Sequence, residues 1–149
     1  DGQWRWVKQA GAAPVALYPD GFQVTRDVIG STYTVPAKGE RAMAGLDDDW
    51  WNLWLRFAGP ALSDLVPTPL DRVATWQATN QIVYFGPEAV KIAFDPKTGR
   101  LIGSYTDKPN GVNVKFGGVL VQSQSLVGGS YLAPSPTGPQ SGLFSAQPR

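Results

Sequence analysis

The sequence predicts a mainly β domain: a curved antiparallel meander sheet, half-barrel-like, with one broken helix packed on one face. Three observations predict it. Apolar and polar residues alternate with a period of two through six segments between Arg72 and Leu126. The connectors carry turn chemistry, in keeping with 17 Gly and 13 Pro among 149 residues. One stretch, Asp47–Val66, breaks the rhythm with helical spacing.

The elements follow in order. Trp4-Arg5-Trp6-Val7-Lys8 alternates as a half-buried strand does. Pro19-Asp20-Gly21 is a turn signature between Val15–Tyr18 and Phe22–Arg26, which predicts that these two segments pair as a hairpin. Ile29–Val35 is rich in strand formers and stops at Pro36. In the helical stretch, Asp47, Asp48 and Asp49 suit a first turn, where acids cap and match the dipole. Trp50, Leu53, Trp54 and Phe57 then fall at i, i+3, i+4 and i+7, with Trp51 and Leu55 off that face. Gly59-Pro60 breaks the helix, because proline lacks the backbone donor and clashes with the preceding turn.

Arg72–Gln77, Gln81–Gly86, Glu88–Asp95, Arg100–Thr106, Val112–Phe116 and Val119–Leu126 are the six strand segments. Asp95-Pro96-Lys97-Thr98-Gly99-Arg100 fits a type I turn closed by a left-handed glycine, and Asn110-Gly111 a two-residue hairpin. Val90, Ile92 and Phe94 share one face, so one side of the sheet is packed and the other wetter. The domain is expected to span residues 1–127, with the helix at 47–66. Residues 128–149, rich in Pro, Gly and Ser, read as a C-terminal tail held only by Leu143 and Phe144.

Composition bounds the chemistry. A net charge of +1 argues against nucleic acid and strongly acidic surfaces as partners. No apolar run reaches the roughly 20 residues of a membrane helix. The chain begins at Asp1, which reads as a mature or excised domain. It has no His and no Cys. That removes Ser-His-Asp and Cys-His catalysis, His- or Cys-ligated metals and disulfides, and no Gly-rich phosphate loop is present. The expectation is a non-enzymatic domain with no cofactor and no metal.

Each remaining reactive cluster has a plainer reading. Asp47-Asp48-Asp49 beside three tryptophans superficially resembles an acid cluster for glycoside hydrolysis or calcium binding, but fits a capped helix start better. Ser104 and Lys91 lack the spacing of a Ser-Lys dyad. Six tryptophans are many for this length. They either fill a core short of Leu and Ile, or line a concave site between helix and sheet. A helix apolar on two sides favours the second use. The candidate ligand-binding residues are Trp50, Trp54, Phe57, Trp76, Tyr84 and Phe94, with exposed Trp4, Trp6 or Trp51 as a further surface for sugars.

Ala89-Val90-Lys91-Ile92-Ala93-Phe94-Asp95-Pro96-Lys97-Thr98-Gly99-Arg100-Leu101 resembles the LolA-like lipoprotein-carrier fold and related domains appended to bacterial insulinase-type peptidases. Tyr105-Thr106-Asp107 and Asn110-Gly111-Val112-Asn113-Val114 resemble that family's next hairpin, so the resemblance covers residues 81–116. It implies an unclosed half-barrel whose concave side, covered by helices, receives an acyl chain or peptide, and an extracytoplasmic location (periplasmic or secreted). The family has several covering helices where this chain shows one, and no counterpart of the C-terminal stretch. The leading expectation is therefore a domain binding a hydrophobic ligand or a partner segment in a helix–sheet groove. An assembly module using the aromatic surface and the Pro-rich tail, and a carbohydrate-binding domain, are the alternatives.

Overall fold

The computed structural model describes residues 2–11, 20–59, 68–107, 112–134 and 139–149. Among the described residues, ten strands form two sheets. β1 (Gly2–Lys8) and β2 (Phe22–Val28) make an antiparallel ribbon of their own. The other eight are β3 (Leu53–Ala58), β4 (Leu70–Trp76), β5 (Ile82–Val83), β6 (Ala89–Asp95), β7 (Arg100–Asp107), β8 (Val112–Val121), β9 (Leu126–Ala133) and β10 (Gln140–Pro148). Their spatial order is β5-β4-β3-β10-β9-β8-β7-β6, all antiparallel. The two ends of that order curl towards each other, so the sheet is a nearly closed half-barrel.

The antiparallel, curved sheet agrees with the sequence; the packed helix does not. The described part of 47–66 holds strand β3, in which Leu53, Leu55 and Phe57 are buried and Trp54 and Arg56 face out. The run Leu53–Phe57 satisfies both periods, because apolar residues occupy odd and even positions alike. Pairing decides between them: β3 is flanked by β4 and β10, and only an extended chain satisfies both ladders. The second helical piece, with Pro60, Ser63 and Asp64, lies outside the described residues.

Other expectations shift as well. Val15–Tyr18 lies outside the described residues, and Phe22–Val28 pairs with Gly2–Lys8. Residues 29–35 form no strand, and of Gln81–Gly86 only Ile82–Val83 does. Val112–Phe116 and the start of Val119–Leu126 are one strand, β8, ended by a 3-10 turn at Gln122–Gln124. Asn110-Gly111 falls outside the described residues. The expected tail is the largest correction. Residues 128–149 supply most of β9 and all of β10, and β10 lies between β3 and β9 in the middle of the sheet. Along it Phe144 and Ala146 point in, and Ser145 and Gln147 point out, an alternation hidden by the Gly, Ser and Pro around it.

The concave side is filled. Phe57 sits at its centre, its ring 5.1 Å from Phe116, 5.2 Å from Phe144, 5.7 Å from Tyr131 and 6.3 Å from Tyr105. Two glycines make this density possible. A Cβ at Gly142 would lie 2.1 Å from the Tyr131 ring, and one at Gly103 2.3 Å from the Phe116 ring. Each aromatic ring therefore lies over a bare stretch of the neighbouring strand.

An irregular strap closes one end of the half-barrel. Tyr33 donates its hydroxyl to Pro96 O (2.7 Å), and Thr34 exchanges backbone bonds with the Gln122 amide. Ala42 N donates to Asn80 Oδ1 at 2.8 Å, and Ala42 and Met43 join the core. The β6–β7 turn beneath it forms as the sequence predicts. Asp95 accepts from Lys97 N (2.9 Å) and Thr98 Oγ1 (2.8 Å), and Gly99 takes φ +71°.

Candidate functional site

The six sequence-predicted site residues do not meet in one place. Phe57 and Trp76 are fully buried. Trp76, Tyr84 and Phe94 belong to the seam where β4 and β5 face β6. Trp50 and Trp54 are exposed. Each group has its own role.

At the seam, side chains join edges that backbone bonds leave open. The Trp76 and Phe94 rings are 4.6 Å apart, and Trp76 Nε1 donates to Asn80 Oδ1 at 3.0 Å. Glu88 accepts from Arg72 Nε (2.8 Å), from Arg72 Nη2 and from the Tyr84 hydroxyl. Partial burial pushes the Glu88 carboxyl up, but the bonds from Arg72 and Tyr84 outweigh it and hold the group below its ordinary range. Burial, and then Glu88, pushes the Tyr84 phenol up. A depressed carboxylate contributes stability above its unfolded value, and this is lost as pH falls through the folded one. Thermal denaturation from pH 7 to pH 3 should therefore show a seam contribution that disappears on acidification. Glu88→Gln should be less stable at pH 7 and should have a shallower pH dependence. An unchanged pH profile in that variant would contradict the assignment.

The exposed aromatics gather around the start of β3. Trp50 and Trp51 are 60% and 50% exposed, Phe85 is 56% exposed, and the Trp50 and Phe85 rings are 5.3 Å apart. Trp51 takes φ +61°, a backbone conformation that costs a bulky residue about 1–3 kcal/mol. The surroundings impose it. Trp51 N donates to Thr75 Oγ1 (2.9 Å). Buried Asn52 donates to Asp47 O (2.7 Å) and Trp76 O (3.2 Å), and accepts from Trp76 N (2.8 Å). The loop is thus pinned from below while its indoles face solvent.

The three aspartates of this loop cap no helix. Asp48 pairs with Arg41 at 2.9 Å, and Asp47 serves Asn52 through its carbonyl. Among the described residues, no three acidic side chains converge to hold a metal.

From the loop, β3 runs onto the outer face of the sheet. There Trp54, Arg56, Asp71, Ser145 and Gln147 line a half-open groove of about 370 Å³. The strand registers build it: Gln147 stands opposite Trp54, Ser145 opposite Arg56, and Arg56 opposite Asp71. Arg56 and Asp71 approach to 3.7 Å and balance each other's charge. The Arg149 guanidinium lies 5.5 Å from the Trp54 ring centre, and Arg149 N donates to Asn52 O (2.9 Å). Groove and loop are therefore tied together by the last residue of the sequence given. Trp51 was named only as part of a further surface for sugars, and Arg56, Asp71, Phe85, Ser145 and Gln147 were not among the predicted binding residues. The period-two reading of β3 and β10 would have marked Trp54 with Arg56, and Ser145 with Gln147, as outward pairs.

No protein-family model, no curated protein and no solved structure matches this chain. Among the described residues, no helix is long and apolar enough to cross a membrane.

Proposed function

We propose that this chain is a non-catalytic, extracytoplasmic binding domain that takes a neutral polyhydroxylated ligand, a saccharide, in the outer groove beside Trp54. The observation that carries the reading is the groove's make-up: one indole wall, two charges that cancel, a hydroxyl and a carboxamide. A sugar ring has an apolar C–H face that suits an indole, and a rim of hydroxyls that both donate and accept. Arg56 supplies donors, Asp71 acceptors, and Ser145 and Gln147 both. Solvent-facing Trp50, Trp51 and Phe85 extend the aromatic surface beyond the groove. An acyl chain, which the resemblance to lipoprotein carriers implies, would need the concave side. That side holds Phe57, Trp76, Tyr105, Phe116, Tyr131 and Phe144.

The test is a titration with cello-, xylo-, manno- and chito-hexaose, followed by tryptophan fluorescence and calorimetry. At least one should bind saturably, and Trp54→Ala should weaken it about tenfold or more, corresponding to about 1.4 kcal/mol. Ser145→Ala with Gln147→Ala should weaken it too, without lowering the melting temperature. No saturable response from any of the four, or binding untouched by Trp54→Ala, would overturn the reading.

A further inference from the structure

We propose that the outer face of β6–β10 docks on an anionic lipid surface, by a patch separate from the sugar groove. The strand registers define that patch. In one row Lys91 stands beside Ser104, and Ser104 beside Lys115. The next row sets Ala93 beside Ile102, and the third sets Asp95 beside Arg100 and Arg100 beside Val119. Alternation along these strands turns the core residues inward and leaves aliphatic side chains outside. Ile102, Val119, Leu132 and Leu143, one on each of β7, β8, β9 and β10, are 49%, 56%, 43% and 70% exposed.

Three cations bracket Ile102. Arg100 lies two residues before it on β7, and Lys91 and Lys115 flank Ser104 two residues after it. Among the described residues, none of the three has an acidic side chain within ion-pair distance. Asp95, the acid of these rows, spends both carboxylate oxygens on its own turn, on Lys97 N and Thr98 Oγ1. The chain's net charge of +1 hides this local excess. A depression of about 460 Å³ opens between Lys91, Ile102, Ser104 and Lys115. Neighbouring strands are ~4.8 Å apart, so the backbones of Lys91 and Lys115 stand about 10 Å apart. Both stems then reach one phosphate group held above the Ser104 hydroxyl.

The make-up of the patch selects a lipid surface over a protein partner. Protein interfaces concentrate aromatic residues and Arg at their centres and are depleted in Lys. Here two lysines border the depression, and among the described residues every aromatic side chain of β6–β10 packs inward. Aliphatic side chains that enter the level of the lipid headgroups leave water, and lysine stems lie along apolar surface while their ammoniums meet phosphates. Charge and apolar area therefore act together: the cations draw the face to an anionic bilayer, and the aliphatic residues hold it there.

Flotation of the intact chain with phosphatidylcholine vesicles, with and without about 30% phosphatidylglycerol, tests this. Partitioning should be at least about tenfold stronger on the anionic vesicles and should weaken as salt rises. Lys91→Gln with Lys115→Gln should lower it about tenfold at an unchanged melting temperature. Ile102→Ser with Leu143→Ser should also lower it, and Val119→Ser alone serves the same purpose should that pair fold poorly. Trp54→Ala should float as the intact chain does, so the lipid and sugar readings stand or fall separately. Four results would overturn the proposal: no flotation with anionic vesicles, equal flotation with neutral ones, flotation untouched by the lysine substitutions, or flotation untouched by the aliphatic ones.

Discussion

Deleting residues 140–149 is expected to abolish folding, leaving no cooperative transition in urea or heat and no dispersed amide spectrum. β10 is the single strand that joins the two halves of the half-barrel. On one side it pairs with β3 from Leu143 to Pro148, and on the other with β9 from Gln140 to Ala146. Its loss exposes two long strand edges and removes Phe144 and Ala146 from the core. Without it, β3, β4 and β5 have no ladder to the β6–β9 meander. The whole stability of a domain is about 5–15 kcal/mol, and losing both ladders with their buried side chains exceeds that margin. A truncated chain that melted near the temperature of the intact one would show that these residues are an appendage.

Phe57→Ala should cost about 3–5 kcal/mol, measured as a drop in the urea midpoint at unchanged slope. The residue is 1% exposed and touches aromatic rings from β7, β8, β9 and β10. Four rings cannot all move inward to refill the space, because each is held by its own strand, so most of the cavity persists. Phe57→Leu should cost less, since it keeps most of the volume. If Phe57 lined a ligand groove, the alanine variant would lose binding and keep stability. The expected result is the reverse, with oligosaccharide affinity unchanged in the folded fraction.

Between these two positions lies the part of the fold that local sequence does not show. β6 and β7 were legible because their alternation is clean and the turn between them carries Asp, Thr and Gly in the required order. β3 was not, because Trp50, Leu53, Trp54 and Phe57 satisfy a helix while Leu53, Leu55 and Phe57 satisfy a strand. What selects the strand is β10, more than 80 residues away in sequence. β10 was hidden in turn by its small residues. They are small because Tyr131 lies across Gly142, so the bulk that fills that layer comes from the neighbouring strand.

The candidate site divides the same way. The abundance of tryptophan and the lack of His and Cys were visible at once, and they direct attention to aromatic binding. Which indoles face solvent was not visible. Trp76 and Trp54 are the same residue type on adjacent strands, one sealed in the core and one on a groove wall.

By itself the sequence determined an antiparallel curved sheet, the tight β6–β7 turn and the chemistry available to it, because alternation, turn residues and residue inventory are local properties. The tertiary structure alone decided that the apolar run at Leu53–Phe57 is a strand, that the final residues form its central partner, and which tryptophans reach solvent. Strand pairing is satisfied only by a distant segment, and the inward face of a strand is defined only once that segment is in place.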